Sequence, residues 1–253
     1  MENNILDKHG AVLENLFGLW EEVGSKADLL RNEHGLRFIR QEGLWPDLMF
    51  GLHEGFSNWK ALREGARSGR YPRAMALGEN ALLEDQLQTV GYQKTSTVRS
   101  MCWDAKWMPG PKTHVAPIER VDDMAKLTDF SHIASVSFGY EILPKMFRPF
   151  LEDTEKIRMY IQEHRGKAAN CGLLFLDDKD GAGIHIIGTL PEHRGMGLGR
   201  SMTEYQLKEA IGLGPSHIGL VASEGGARIY SKMGFEPVGH MVTYRFGGSS
   251  AQR

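Results

Sequence analysis

The stretch Gly188–Arg200, GTLPEHRGMGLGR, decides the fold of this chain. Its glycines at 195, 197 and 199 fall within five residues, after a strand-like run, GIHIIGTL, and at the start of a helix-like run. Glycine lets the backbone approach a bound anion closely, and the first N–H groups of a helix attract negative charge. The stretch therefore predicts an anion-binding loop between a strand and a helix, suited to a pyrophosphate.

Two well-known nucleotide-binding loops do not fit this stretch. A dinucleotide-binding Gly-x-Gly-x-x-Gly loop needs a parallel β-α-β unit, whereas the runs before this loop predict an antiparallel meander. A Walker loop needs Gly-Lys-Ser/Thr, and the tripeptide Gly199–Ser201 has arginine in the place of the lysine. Both nucleotide-binding hypotheses are therefore rejected.

Strand-like and helix-like runs alternate through the second half of the sequence. The apolar patterns and turn residues predict a strand at His114–Arg120, helices at Asp122–Tyr140 and Ile142–Asp153, meander strands at Ile157–Gln162, Ala168–Leu176 and Gly183–Leu190, a helix at Gly199–Ile211, a strand at His217–Ala222, a helix at Gly225–Met233 and a strand at Val238–Phe246. This order predicts an α+β domain.

Two motifs in this half resemble the GNAT superfamily of acyl-CoA-dependent N-acyltransferases. The family signature Gln/Arg-x-x-Gly-x-Gly/Ala is matched by Arg194, Gly197 and Gly199, and Leu220–Gly239 resembles the family's last strand, its tyrosine-bearing helix and its Gly-Phe turn. The resemblance covers roughly residues 114–246. It implies the GNAT fold, in which helices flank a mixed and mostly antiparallel sheet.

The resemblance also implies acetyl-CoA as co-substrate and assigns residues to it. The residues on the strand whose backbone meets the pantetheine and the thioester are Ile187, Gly188 and Thr189. The residues on the pyrophosphate are Arg194, Gly195, Met196, Gly197, Leu198, Gly199 and Arg200. Ser223 falls where many relatives have an asparagine that contacts the cofactor, and its hydroxyl has a shorter reach. No metal is implied.

Two residues are candidates for proton transfer. Tyr230 matches the tyrosine with which many relatives protonate the departing CoA thiolate, and a phenol with a pKa of about 10 can do so when it is held against the sulfur. His185 alternates with Ile187 and Thr189, so we expect all three side chains to face the acyl group, where a neutral imidazole can take a proton from the amine. The alternative for both is packing alone.

The first half of the chain repeats an order of predicted elements that is also found in the second half. Ala74–Trp103 predicts a strand, a helix, a Gly-aromatic turn and a strand, and its Gly91-Tyr92 precedes Gly234-Phe235 by 143 residues. This half is therefore either a degenerate GNAT-like domain or an unrelated auxiliary domain that shapes the acceptor pocket. Leu87 stands where Tyr230 would align, so no chemistry is expected there. Pro109–Pro111 predicts a boundary between domains at 1–110 and 114–253.

Composition and net charge bear on the partners and the location of the protein. The 253 residues carry a net charge of −2, which gives no electrostatic reason to expect nucleic acid or an anionic membrane as partner. The two cysteines and the lack of a signal-peptide pattern indicate a cytoplasmic protein. We expect a monomer or a homodimer. The resemblance to the GNAT superfamily implies an N-acetyltransferase, and we expect it to move an acetyl group to a primary amine of a small molecule. The alternative is a non-catalytic acyl-CoA-binding sensor or scaffold.

Overall fold

The computed structural model describes residues 2–103 and 117–247, with side chains from residue 7 onward. The elements of the first part are α1 (Glu2–Lys26), β1 (Leu30–Glu33), β2 (Leu36–Ile39), β3 (Leu44–Trp45), β4 (Leu48–Phe50), α2 (Trp59–Ser68), β5 (Ala74–Gly78), α3 (Ala81–Thr89) and β6 (Tyr92–Trp103). Those of the second part are β7 (Ile118–Arg120), α4 (Met124–Phe138), β8 (Glu141–Ile142), β9 (Ile157–His164), β10 (Lys167–Leu176), β11 (Gly181–Thr189), α5 (Leu198–Leu213), β12 (His217–Ala222), α6 (Glu224–Ser231) and β13 (Phe235–Phe246).

One sheet joins the two parts of the chain. Its strand order is β1-β2-β4-β5-β13-β6-β12-β11-β10-β9-β7, while β3 and β8 form a separate parallel pair. Within the large sheet, β4 with β5 and β11 with β12 are parallel, and the other pairs are antiparallel. The mixed, mostly antiparallel sheet expected from the sequence is therefore confirmed.

The sheet has an approximate internal repeat centred on the pair β6 and β13. The elements β5, α3 and β6 begin 143 residues before β12, α6 and β13, the offset predicted from the Gly-aromatic turns. Their caps correspond as well, because Asn80 and Ser223 each accept a hydrogen bond at the start of a helix from the N–H three residues further on. The strand–helix–strand echo in the sequence is thus a structural repeat.

The last strand of each repeat lies inside the other repeat. β13 lies between β5 and β6, and β6 lies between β12 and β13. The two strands pair along their whole length, from Phe235 opposite Trp103 to Phe246 opposite Tyr92. Because each repeat relies on a strand of the other, the two parts share one sheet. The predicted boundary at residues 109–111 lies outside the described residues.

Helix α1 crosses the middle of this sheet, over β11, β12, β6 and β13. The apolar face of α1 is buried, and some of the strand residues beneath the helix are glycines. A Cβ on Gly219 would lie 2.6 Å from Cγ2 of Val12, and a Cβ on Gly183 would collide with Asn15. The close approach of α1 therefore depends on glycine at these strand positions.

Most predicted elements are present, with three differences. The predicted helix Ile142–Asp153 is replaced by two short 3₁₀ turns, Pro144–Met146 and Arg148–Leu151, each of which has a proline in its first turn. β13 begins at Phe235, three residues before the predicted start, because it pairs with β6 from that point. Helix α2 was not predicted, since Leu62 is its one large buried side chain.

We expect Gly219→Ala to lower the free energy of unfolding by about 1–3 kcal/mol, because the new methyl group would overlap Val12. Urea unfolding of the whole chain measures the change. The matched control is Gly10→Ala on α1, where nothing lies within 4 Å of the added methyl group. It is expected to raise stability by about 0.5–1 kcal/mol, the usual gain for alanine over glycine in a helix. Equal effects of the two substitutions would contradict the packing of α1 described here.

Candidate functional site

The predicted anion-binding loop lies between β11 and α5. After β11 the chain forms a 3₁₀ turn at Pro191–His193 and then a loop with Gly195 and Gly197 at φ values of 76° and 78°. Nothing lies within 4 Å of a Cβ added to either glycine, so the left-handed backbone conformation, and not crowding, requires them. Gly197 is the N-cap of α5 and provides no side-chain cap. The N–H groups of the first turn of α5 are thus left for an anion.

The other loop residues hold or border this cradle. Leu198 is buried and anchors the start of α5 in the core, whereas Met196 is exposed. The Arg194 side chain folds back, and its Nε donates to the carbonyl of Thr189 at 3.1 Å. Arg200 is exposed and its Nε donates to Glu204 one turn later at 2.8 Å. The structure therefore brings the predicted loop residues together around one helix start.

Beside this loop the sheet opens. β11 and β12 are paired in parallel only from Gly181 opposite His217 to Gly183 opposite Gly219. β11 then continues to Thr189 and β12 to Ala222 without further pairing between them. The unpaired edge of β11 in this opening includes the predicted Ile187, Gly188 and Thr189. An extended ligand can form backbone hydrogen bonds along such an edge.

A β-bulge at Ile186 reorients the side chains of β11. Cys171 pairs with Gly188 and Leu173 pairs with His185, so β11 uses one residue more than β10 between these pairs. The bulged residue Ile186 has a φ of 51°. The alternation of side chains is therefore interrupted between His185 and Ile187.

The bulge makes one prediction wrong. His185 faces α1, where its Nε2 lies 2.9 Å from Oδ1 of Asn15, whereas Ile187 packs into the core beneath α5. The expectation that His185 shares a face with Ile187 and Thr189 rested on unbroken alternation, which the bulge removes. Burial lowers the pKa of His185 to about 3, so its imidazole stays neutral.

His185 is part of a buried link between α1 and the sheet. The Nδ2 group of Asn15 donates to Oδ2 of Asp177 at 2.7 Å, which leaves Oδ1 to accept from the His185 ring. This assignment places the imidazole proton on Nε2. The geometry gives His185 a role in positioning α1, and the reason for assigning it the general-base role no longer holds.

Tyr230 and Ser223 lie beyond the end of β12, on the other side of the opening. Ser223 is the N-cap of α6, and its Oγ accepts from the N–H of Gly226 at 3.3 Å. Tyr230 packs edge-on against Phe235, with ring centroids 6.1 Å apart, and its hydroxyl group forms a hydrogen bond with Thr203 of α5. Burial raises the pKa of Tyr230, and the bond to Thr203 offsets this only in part. The phenol is therefore protonated at neutral pH.

Two further residues support the site and were not identified from the sequence. The buried Asn170 of β10 donates from Nδ2 to the carbonyl of Gly188 at 2.6 Å and to Oγ1 of Thr189 at 2.7 Å, which fixes the end of β11. Thr203 donates to the carbonyl of Gly199 at 2.8 Å and bonds to Tyr230. A lone amide in the apolar run AANCGLLFL was the one available signal for Asn170.

Residues 155–237 match the family model of the acetyltransferase (GNAT) domain. This stretch of the chain is therefore similar to a GNAT domain, and we refer to it below as the GNAT domain. The match includes the opening between β11 and β12, the glycine loop and Tyr230. No curated protein matches the sequence.

Solved structures show how far the fold extends around the GNAT domain. A GCN5-related N-acetyltransferase from Kribbella flavida is 17% identical and has a TM-score of 0.68, with 91% of this chain and 96% of that chain covered. A GCN5-related N-acetyltransferase from Sphaerobacter thermophilus is 16% identical and has a TM-score of 0.56, with 78% of this chain and 71% of that chain covered. A tandem GNAT protein from the clavulanic acid biosynthesis pathway is 14% identical and has a TM-score of 0.58, with 85% of this chain and 79% of that chain covered. These likenesses establish the fold.

Within residues 2–103 and 117–247, no helix has the length and apolar character to cross a membrane. In the same ranges, no three His, Cys, Asp or Glu side chains are grouped so that they could hold a metal ion.

We expect the pH dependence of stability to report the buried state of His185. An unfolded histidine binds a proton below about pH 6.5, whereas folded His185 does so only near pH 3, so stability falls as the pH drops from about 6.5 towards 3. Between pH 7 and pH 5 the wild type is expected to lose about 2 kcal/mol more than His185→Gln, measured by urea unfolding. The control His132→Gln changes an exposed histidine of α4 and should behave as the wild type. Equal losses in all three would contradict this account of His185.

Proposed function

We propose that this protein binds acetyl-CoA and transfers its acetyl group to a primary amine of a small molecule. The observation that carries the proposal is the opening between β11 and β12 directly beside the uncapped, glycine-built start of α5. A ligand with an extended arm next to a diphosphate needs an open strand edge beside an anion-binding helix start. GNAT proteins generally use acetyl-CoA, which has both the arm and the diphosphate.

The loop is suited to the pyrophosphate of acetyl-CoA. The N–H groups between Gly195 and Arg200 lie at the positive end of α5, and the guanidinium groups of Arg194 and Arg200 border them. Helix dipole, backbone donors and arginine all favour a bound phosphate. The free edge of β11 from Ile187 to Thr189 would bond to the pantetheine arm.

Tyr230 is suited to the role of general acid. The nitrogen of the neutral amine attacks the thioester carbonyl carbon, a C–N bond forms, the C–S bond breaks, and the thiolate accepts a proton from the Tyr230 hydroxyl. The nitrogen releases one proton to water as the amide forms, and the Tyr230 phenolate takes a proton back from water. Burial keeps that hydroxyl protonated at neutral pH, so it has a proton to give. Backbone N–H groups at the end of β11 would stabilise the oxyanion. The amine must be neutral to attack, and the pH profile of the rate would report its deprotonation.

The second candidate function is an acyl-CoA-binding sensor without catalysis. The observation that favours it is the burial of His185 against Asn15, which removes the residue expected to deprotonate the amine. Calorimetry with acetyl-CoA, followed by a thiol-release assay over a panel of amines, separates the two functions. Release of CoA that depends on an added amine supports the transferase. Tight binding without release for any amine supports the sensor.

We expect Gly197→Glu to weaken acetyl-CoA binding by at least about tenfold, measured by calorimetry. The new carboxylate would stand at the helix start, where it repels the pyrophosphate, and glutamate fits the φ of 78° poorly. The matched control is Gly212→Glu, which adds the same charge in the last turn of α5, where nothing lies within 4 Å of an added Cβ. If Gly197→Glu binds acetyl-CoA as the wild type does, the loop is not the pyrophosphate site.

We expect Tyr230→Phe to lower kcat by about a hundredfold, the usual size of a general-acid contribution, while the KM for acetyl-CoA changes little. The phenylalanine keeps the contact with Phe235 and loses only the hydroxyl group. The control Tyr205→Phe removes a hydroxyl group from the side of α5 that packs on Tyr160. A full kcat in Tyr230→Phe, across the pH range and with a good amine substrate, would exclude the general-acid role.

A further inference from the structure

A charged cavity lies between the first part of the chain and the end of β13, away from the GNAT domain. It has a volume of about 830 Å³, and four arginines line it. We name it the arginine cleft and define it by Arg40, Arg67, Arg73 and Arg245. Arg40 follows β2, Arg67 lies in the last turn of α2, Arg73 precedes β5 and Arg245 is near the end of β13. Four separate elements thus direct guanidinium groups to one cavity.

The cleft is remote from the proposed acetyl-CoA site. Arg245 lies ten residues along β13 from Phe235, the residue that contacts Tyr230. At about 3.4 Å per residue this separation is roughly 34 Å along the strand. A ligand in the arginine cleft is therefore separate from one in the opening between β11 and β12.

The charges around the cleft do not cancel. Its two acidic residues are Glu42, which pairs with Nη2 of Arg40 at 2.7 Å, and Asp47, whose Oδ1 accepts from the N–H of Gln41 at 3.1 Å. Counting these two carboxylates against the four arginines leaves a local charge of +2, in a chain whose net charge is −2. The surplus is a local property of this surface.

Two of the arginines are held in place and two are available. The Nε and Nη2 groups of Arg73 donate to the carbonyl of Phe246 at 3.3 and 2.8 Å, and the guanidinium of Arg40 is fixed by Glu42. Arg67 and Arg245 form no ion pair or side-chain hydrogen bond with any of the described residues. Both side chains are exposed, so their donors are available to a ligand.

We propose that the arginine cleft binds a small phosphorylated anion. A guanidinium group offers two parallel donors that match two phosphate oxygens, and a surplus of two charges matches a phosphate dianion. The volume is in the range of ordinary small-molecule sites. This second site is independent of acetyl-CoA binding and of the acetyl transfer proposed above.

Calorimetric titration of the full chain with inorganic pyrophosphate, at low ionic strength, tests this site. The wild type is expected to bind, and the double variant Arg67→Gln/Arg245→Gln is expected to bind at least about tenfold more weakly. The matched control is Arg63→Gln, one turn before Arg67 on α2 and outside the cleft. Binding that remains in the double variant measures pyrophosphate held at the glycine loop.

Three outcomes would overturn the proposal: no binding to the wild type, equal binding by the wild type and the double variant, or an equal loss in Arg63→Gln. Succinate, a dicarboxylate, is expected to bind at least about tenfold more weakly than pyrophosphate, and equal affinity would exclude a phosphate site. If the double variant does not fold, the single variants Arg67→Gln and Arg245→Gln are each expected to weaken binding about three- to fivefold.

A titration of the same variants with acetyl-CoA keeps the two proposals apart. The double variant is expected to bind acetyl-CoA as the wild type does, because the arginine cleft is remote from the loop. A wild type that binds pyrophosphate at the cleft but does not bind acetyl-CoA would contradict the proposed function and leave this site standing. The reverse result would contradict this site alone.

Discussion

The pairing of β6 with β13 is the constraint on which the rest of the structure depends. Each strand ends one repeat and lies inside the other, so removing either would cost two strands one of their two neighbours. They pair from Phe235 opposite Trp103 to Phe246 opposite Tyr92, with two shifts in register along the way. β6 also pairs with β12, which forms one wall of the opening where the GNAT domain would take its co-substrate.

The other wall of that opening is set by local irregularity in β11. The bulge at Ile186 turns the end of the strand, and Asn170 holds Gly188 and Thr189 in their new direction. His185, which precedes the bulge, faces α1 together with Gly183, and the bulge turns the residues after it away from that face. The first repeat has a parallel pair of its own, β4 and β5, but no glycine signature follows β4. The two repeats share an architecture and differ in the residues that would bind CoA.

The sequence predicted what depends on neighbouring residues and missed what depends on distant ones. Glycine spacing and helix signals identified the loop at Arg194–Arg200, and a constant offset of 143 residues identified the repeat. Helix α2 was not predicted because Gly65 and Ala66 form most of its buried face, and these small residues do not produce a helical pattern of apolar side chains. The bulge at Ile186 arises from the register between β11 and β10. The exchange of β6 and β13 arises from pairing between strands that are more than a hundred residues apart in the sequence. Neither has a local signal, and the error at His185 follows directly.

The decisive measurement is a crystal structure of the chain with acetyl-CoA. We expect the pantetheine arm between β11 and β12, bonded to the backbone from Ile187 to Thr189, with the pyrophosphate on the N–H groups between Gly195 and Arg200. We also expect the thioester sulfur within hydrogen-bonding distance of the Tyr230 hydroxyl group. Acetyl-CoA bound at another place, such as the edge between β4 and β5, would contradict the account.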